Sequence, residues 1–548
     1  MVKYFAKITL FLFFTSVSFW SFSQYTHQDT LRGSVGAGRS WWDVKKYELS
    51  VTVDITSKSI RGANLITFDV TSPGKHKLMQ IDMQRPMEIE KIEYVNRKYE
   101  QLSFKREGNV YWVDFGETVF DDAQQKISIQ FKGTPRAAVN PPWDGGWVWT
   151  NDAQARPWVT VACQGLGASV WYPCKDYQGD EPDKGALLSV TVPDPLVAVG
   201  NGRLKNKTKR NDGTTTWQWE VLNPINTYNI VPYIGYYTNW TETFAGEKGN
   251  LDCSYWVLDY DLDKAKQQFG RDVKPMLKCF ENWFGPYPFY EDGYKLVEAP
   301  HLGMEHQSNV AYGNKFKNGY LGMDLSGTGW GTKWDYIIVH ESGHEWFGNN
   351  ITTADIADMW VHEGFTNYSE PLFVECQWGK KAGNEYAVGL RANIENDKPV
   401  IGPYGVNKEG SGDMYAKGSN MIHTIRQVID DDKKFKDILR GLNQDFYHQI
   451  VTSAQVEKYM IDKSGKDLSK IFDQYLRTKQ VPVFEWKMEN KNIVYRWTNV
   501  VPGFNMPVKL KNGLWLNPTT EWQTIDAKKT GAKPEMDENF YIEQRKAQ

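Results

Sequence analysis

The sequence predicts a multidomain α+β protein: an all-β N-terminal domain, a mainly helical middle domain and a small β-sandwich-like C-terminal domain. Three observations carry the prediction. From about residue 41 to 237 apolar and polar residues alternate, and from about 260 to 480 apolar residues recur at helical spacing. After Val481-Pro482-Val483 the alternation returns. The 548 residues suffice for about three or four domains. A hydrophobic share of 41% with 24% charged residues excludes wholesale disorder. With 64 Lys+Arg against 67 Asp+Glu, the net charge of -3 provides no global basic field, which argues against nucleic acid as a partner.

Residues 1–24 stand apart. Lys3 and Lys7 precede a short apolar run, Ile8 to Phe14, and a Ser-rich exit ends at Ser23-Gln24. This order reads as a signal peptide cleaved near Ser23 or Gln24, since the apolar run is shorter than the ~20 residues a membrane span needs. The expected location is therefore periplasmic or secreted, without stable membrane insertion after cleavage. No Cys near the exit supports a lipid anchor. The five Cys form no CxxC pair and their number is odd, so at least one stays unpaired or pairs between chains. One bridge is compatible with an oxidising compartment.

Residues 25–244 form the expected all-β domain. Tyr47, Leu49, Val51, Val53 and Ile55 alternate with polar residues before a Thr56-Ser57-Lys58-Ser59 turn. Ile127, Ile129, Phe131 and then Leu188, Val190, Val192 repeat the pattern of half-buried antiparallel strands. The 23 Trp and 29 Tyr suit sandwich cores or ligand grooves. The stretch Pro141 to Trp149, with Trp158, reads either as a corner packed on itself or as an apolar wall for peptide side chains. Residues 245–480 carry helical spacing at 263–284, 333–349, 363–378 and 417–429. The stripe Met421, Ile422, Ile425, Val428, Ile429 is core. Residues 481–548 read as a small β-domain with a charged, frayed tail.

The chemistry concentrates in His340-Glu341-Ser342-Gly343-His344. At i and i+4 of a helix both imidazoles project from one face, making half of a tetrahedral zinc site. Glu341 stands beside such a metal, where a base for attacking water belongs. With 9 His in the chain, a chance HExxH arises on the order of once in a hundred such sequences. Glu363, 19 positions after His344 on the next helical segment, supplies a third ligand. Two His, one Glu and a water leave the open position that catalysis needs. His362 points about 100° away from Glu363 and reads as a surface or packing residue. Glu370, two turns beyond Glu363, reads as a solvated carboxylate in preference to a partner of a ligand histidine.

This motif, Glu363 and the following Gly-Phe-Thr-Asn-Tyr resemble the gluzincin zinc aminopeptidases of the aminopeptidase N and leukotriene hydrolase type. Gly303-Met304-Glu305-His306 is similar to the family's Gly-x-Met-Glu-Asn strand, whose glutamate grips the substrate's α-amine. Met414-Tyr415-Ala416-Lys417-Gly418 is similar to its Tyr-x-Lys-Gly element, whose tyrosine stabilises the oxyanion. Cys163-Gln164-Gly165, ten residues before Cys174, resembles the N-domain segment that also contacts the amine. Leu302 stands where the family usually has the first Gly, and His306 replaces the Asn.

The resemblance implies a thermolysin-like catalytic domain holding one Zn2+ per chain through His340, His344 and Glu363. Glu341 and Tyr415 would be catalytic, and Glu305, Gln164, Gly303 and Met304 would bind substrate. It implies hydrolysis of N-terminal residues from peptides with a free N-terminus, by Glu-assisted attack of zinc-bound water. It also implies a short form that stops before the large helical domain of many relatives, with a more open cleft. A thermolysin-type zinc endopeptidase and a non-catalytic peptide-binding relative are the alternatives. Nothing in the sequence points to the epoxide hydrolysis known from one branch.

Overall fold

The computed structural model describes residues 25–547, so the predicted signal segment lies outside the described residues. A short helix α1 (His27–Gly33) opens the chain, capped by the Thr26 side chain. An eight-stranded sheet follows, in the order Arg203–Lys209, Thr214–Val221, Ala186–Pro193, Trp42–Asp54, Ser59–Val70, Gln125–Gly133, Glu88–Tyr94, Glu100–Gln101. In Thr214–Val221 every second residue is buried, as the alternation requires. The expectation of purely antiparallel pairing needs one correction, because Trp42–Asp54 and Ala186–Pro193 run parallel with Tyr47 opposite Ala186. The long stretch of chain between them allows the crossover that a tight hairpin cannot provide.

A four-stranded sheet of Gly146–Asn151, Pro157–Ala162, Tyr233–Gly235 and Val197–Val199 shares the core of the first. Trp147 is fully buried, stacked 5.0 Å from Trp149 and set edge-on to Trp171. For these two indoles the packed-corner reading holds. Trp143 at the loop tip is 64% exposed and faces the cleft described below.

The expected boundary at residues 244 and 245 falls inside a hairpin. Tyr237–Gly246 pairs with Gly249–Leu258 along its whole length. Both belong to a five-stranded sheet continued by Tyr294–Glu298, Val310–Tyr312 and the edge strand Gly303–Met304. The second unit therefore begins near Tyr237. Its helices are α2 (Leu262–Phe284), α3 (Tyr336–Gly343), α4 (Trp360–Trp378), α5 (Lys380–Gly389), α6 (Ala416–Ile429), α7 (Asp432–Asp445), α8 (Ser453–Ser464) and α9 (Ser469–Arg477). Met421, Ile422, Ile425, Val428 and Ile429 are buried, as the stripe on α6 predicts. A Cys279–Cys376 disulfide ties α2 to α4, while Cys163, Cys174 and Cys253 are free and buried.

The segment 333–349 is helical only at Tyr336–Gly343. Asp335 starts it by accepting from the amides of Ile337 and Ile338. It ends early because the chain turns back after His344, reaching Gly348 at φ +125. The C-terminal strands Val483–Glu489, Asn492–Thr498, Gln523–Asp526 and Glu543–Lys546 form a sheet whose apolar residues join the core of the helical unit. The tail is not frayed, contrary to the sequence reading. Glu543–Lys546 pairs in parallel with Val483–Glu489, and the Tyr475 hydroxyl donates to the Tyr541 carbonyl at 2.5 Å.

Candidate active site

Helix α3 lies against α4, and α4 against α6, so His340, His344, Glu363 and Tyr415 come from three consecutive layers. Glu363 Oε2 lies 3.3 Å from His344 Nε2 and 3.8 Å from His340 Nε2, and these three atoms all lie within 4.8 Å of one another. The other imidazole nitrogens are already engaged. His340 Nδ1 is 2.8 Å from a Glu370 carboxylate oxygen, and His344 Nδ1 is 3.0 Å from the Phe347 carbonyl. Both partners only accept, so each Nδ1 carries the proton and each Nε2 presents a lone pair. Glu363 Oε2 is buried with no hydrogen-bond partner among the described residues. Two imidazole lone pairs and an orphaned carboxylate oxygen are a donor set that fits zinc.

Glu370 corrects the sequence reading. It is fully buried, accepts from Asn367 at 2.7 Å and from the Tyr386 hydroxyl at 2.9 Å, and orients His340. His362 is buried rather than at the surface, its Nε2 accepting from the Thr353 amide at 2.9 Å, and it takes no part in the triad.

Glu341 is buried, which pushes its carboxyl up to about 7 against the pull of the His340 and His344 rings. Gly303 lies directly over it: a Cβ on Gly303 would sit 2.6 Å from Glu341 Oε1 and 2.9 Å from Ile337 Cγ2. Glycine is required there by close approach. Gly303–Met304 pairs with Val310–Tyr312, and Gly313 N–H donates to the Leu302 carbonyl at 2.7 Å, so the strand forms with leucine at 302. His306 turns away from the cleft, its Nδ1 meeting the Tyr233 hydroxyl.

Glu305 is buried, and its Oε1 accepts from Gln164 Nε2 and from the Tyr228 hydroxyl, both at 2.8 Å. Burial raises its carboxyl above the ordinary value. Its backbone carbonyl accepts from Asn349 Nδ2 at 2.8 Å. A Glu305 oxygen also lies within 4.8 Å of atoms of Glu341 and His344. Tyr415 stacks on His340 at 6.0 Å, and burial and nearby carboxylates keep its phenol protonated far above neutral pH. Gly364 and Gly418 make this proximity possible: a Cβ on Gly418 would lie 3.1 Å from the Gly364 Cα. Gln164, Gly303, Met304, Glu305, His340, Glu341, His344, Glu363 and Tyr415 all line one cleft of about 500 Å³. Sequence reasoning missed two further residues. Tyr228, which holds Glu305, comes from a segment without a motif, and Glu409, on the cleft wall, precedes the Tyr415 element on a loop without periodicity.

A two-histidine, one-glutamate centre beside a buried carboxylate, on helices packed against a mixed sheet, defines a gluzincin-type metallopeptidase architecture. Residues 44–229 match the peptidase M1 N-terminal domain and residues 271–475 match the peptidase family M1 domain. The chain belongs to the peptidase M1 family, a family of zinc metallopeptidases. It is 21% identical over 398 residues to mouse (Mus musculus) aminopeptidase B, covering 68% of this chain and 56% of that one. It is 25% identical over 394 residues to aminopeptidase N of Lactococcus lactis subsp. lactis, covering 67% and 44%. The chain thus spans about half the length of these curated relatives. A mutant M1 zinc metallopeptidase from Deinococcus radiodurans, bound to a Tyr-Ser-Ala substrate, superposes with a TM-score of 0.68 at 19% identity, covering 81% of this chain and 96% of that one. Native yeast LTA4 hydrolase gives 0.63 at 15% identity, covering 79% and 68%.

Proposed function

We propose that the protein is a zinc-dependent aminopeptidase that releases single residues from the free N-terminus of peptides. The observation that carries this reading is the position of Glu305. It is a buried carboxylate held by two donors, with an oxygen within 4.8 Å of side-chain atoms of the ligand His344 and of Glu341. An ammonium paired with it has its first peptide bond at the metal centre, and no later bond reaches there.

His340, His344 and Glu363 hold the ion, with Glu370 and the Phe347 carbonyl fixing the imidazole tautomers. Zinc, when bound, supplies Lewis acidity toward the scissile carbonyl and toward water. Glu341 takes a proton from the attacking water and delivers it to the leaving amine, a task its place beside the two ligand imidazoles in the cleft allows. Tyr415, protonated, donates to the oxyanion that develops on the substrate carbonyl. The Gln164 amide steadies Glu305, and its carbonyl oxygen is the second acceptor for the ammonium. Gly303 and Met304, on the sheet edge, offer unpaired backbone groups to an extended peptide.

A thermolysin-type endopeptidase shares the metal centre but has no use for Glu305, since an internal bond brings no ammonium. A non-catalytic relative has no use for Glu341 and Tyr415 in place. The reading includes an oxidising compartment, periplasmic or extracellular. The make-up of residues 1–24 and the Cys279–Cys376 disulfide support it. Among the described residues no helix is long and apolar enough to cross a membrane. Short peptides are the proposed substrates. The test is hydrolysis of free and N-acetylated aminoacyl chromogenic substrates, each with and without a chelator. Chelator-sensitive cleavage of the free-amine set alone is expected, and equal cleavage of both sets contradicts the reading.

A further inference from the structure

Helix α1 adds nothing to the core, for none of its seven residues is buried. A helix this short does not hold itself in water, so its place is set by what it touches. Its last carbonyls meet a fully buried arginine: Arg39 Nη1 donates to the Arg32 and Ser34 carbonyls at 2.9 and 3.0 Å. Arg39 Nη2 donates to Asp82 at 2.5 Å, and Gln80 Nε2 donates to the Leu31 carbonyl at 2.9 Å. The N-terminal sandwich thus anchors the end of α1. The same end touches the catalytic unit. A Cβ on Gly33 would stand 2.3 Å from the Val406 carbonyl carbon and 2.4 Å from the Asn407 nitrogen, so the two backbones are in contact.

From this junction the Arg32 side chain reaches the turn that carries Gln164. Gly167 N–H closes the turn on the Cys163 carbonyl at 2.6 Å, with Gly165 at φ +69 and Gly167 at φ +95. Two glycines at positive φ leave such a turn several shapes, so contacts from outside fix the direction of Gln164. Three donors supply them. Arg32 Nη2 donates to the Gly165 carbonyl at 3.2 Å, Asn407 Nδ2 to the same carbonyl at 2.8 Å, and Gln84 Nε2 to the Leu166 carbonyl at 2.7 Å. Arg32 Nη2 also lies 3.6 Å from Asp176 Oδ2. Both groups press on Gly167, where a Cβ would stand 2.0 Å from the first and 2.2 Å from the second. Only about 40 Å³ stays open among Arg32, Gly165 and Tyr228, the residue whose hydroxyl holds Glu305. Arg32 therefore stands directly behind the amine site.

We propose that Arg32 is a positioning residue for amine recognition: from α1 it clamps the Gln164 turn between Asp176 and the loop at 405–409, and so holds the Gln164 amide on Glu305. The inference rests on the aminopeptidase reading. What the clamp preserves is the 2.8 Å contact from Gln164 Nε2 to Glu305 Oε1, which brings the Gln164 carbonyl oxygen to the ammonium. That ammonium stays paired from bound substrate to transition state, so a loosened clamp weakens both equally. Loss of such uniform binding raises KM and leaves kcat in place. A role confined to tying down α1 would act on stability and not on the amine.

The test compares two inhibitors of the zinc-loaded enzyme that differ only in the amine, leucine hydroxamate and 4-methylpentanohydroxamate. The wild type is expected to bind the amine-bearing compound more tightly. Arg32→Ala is expected to weaken that compound roughly 10-fold, the size of one charge-assisted hydrogen bond, and to leave the other compound and the zinc content unchanged. KM for aminoacyl chromogenic substrates should rise by a similar factor at nearly constant kcat. Arg32→Lys, which keeps a charged donor, should restore part of the loss. Gly33→Ala, which pushes α1 off Val406 with Arg32 intact, should reproduce it. If the wild type discriminates but Arg32→Ala weakens both inhibitors equally, or neither, the assignment is overturned and the aminopeptidase reading stands. A wild type that binds the two inhibitors alike overturns both.

Discussion

Behind each imidazole at the centre stands an acceptor that sets its tautomer, and the roles of single residues follow from such pairings. Glu370→Gln keeps the shape but removes the charge that orients His340, and it is expected to weaken zinc binding about 10- to 100-fold in a chelator competition. Glu341→Gln is expected to lower kcat by about 10²- to 10⁴-fold with zinc content unchanged, as loss of a general base does. Tyr415→Phe is expected to lower kcat about 10²- to 10³-fold with little change in KM, because its donor acts on charge that exists only in the transition state. A variant that lost zinc along with activity would reassign Glu341 or Tyr415 to holding the metal site. The triad was legible in the sequence because its spacing is local: two imidazoles one helical turn apart declare themselves. Glu370 was misjudged as solvated, since a carboxylate on a helix gives no sign that Asn367 and Tyr386 will enclose it. Tyr228 was invisible, for its meeting with Glu305 spans 77 positions and two sheets.

At the scale of elements, the site depends on how closely three helices approach. Gly364 on α4 and Gly418 on α6 face each other with no room for side chains, and that contact carries Tyr415 to His340. Gly418→Val is expected to cost about 1–3 kcal/mol of stability and to lower kcat. Zinc content should be retained, because all three ligands lie on α3 and α4 or at the end of α3. A thermal melt beside a metal assay checks this, and zinc lost in parallel with stability would show that α6 also supports the ligands. Helix existence was legible from apolar spacing, as the buried stripe on α6 shows. Helix length was not: the apolar run across 333–349 continues through a turn, which the Phe347 carbonyl uses to reach His344. The tail likewise read as frayed from its charge, whereas pairing with Val483–Glu489 orders it.

The molecule as a whole brings the N-terminal sandwich onto the catalytic unit, so that Gln164 and Tyr228 from one meet Glu305 from the other. Asn229 Nδ2 donates to Asn349 Oδ1 at 2.7 Å across the same junction, and Asn349 in turn holds the Glu305 backbone. The Cys279–Cys376 bridge closes a loop with a sequence separation of 97 that includes the triad. Replacing both cysteines by serine is expected to lower stability by about 2–4 kcal/mol, read as a lower unfolding midpoint under non-reducing conditions only. An unchanged midpoint would make the bridge incidental. The order of the three regions was legible from the change in period. Their junction was not, because the strand that opens the catalytic sheet alternates like those before it.

The central claim is that one buried glutamate restricts cleavage to the first peptide bond. It is tested most directly by mass spectrometry of a defined peptide of about ten residues, incubated with the zinc-loaded protein in free and N-acetylated form. A ladder losing one residue at a time from the free N-terminus, with the acetylated peptide left intact, is the predicted result. Internal fragments, or cleavage of the acetylated peptide at any bond, would contradict it.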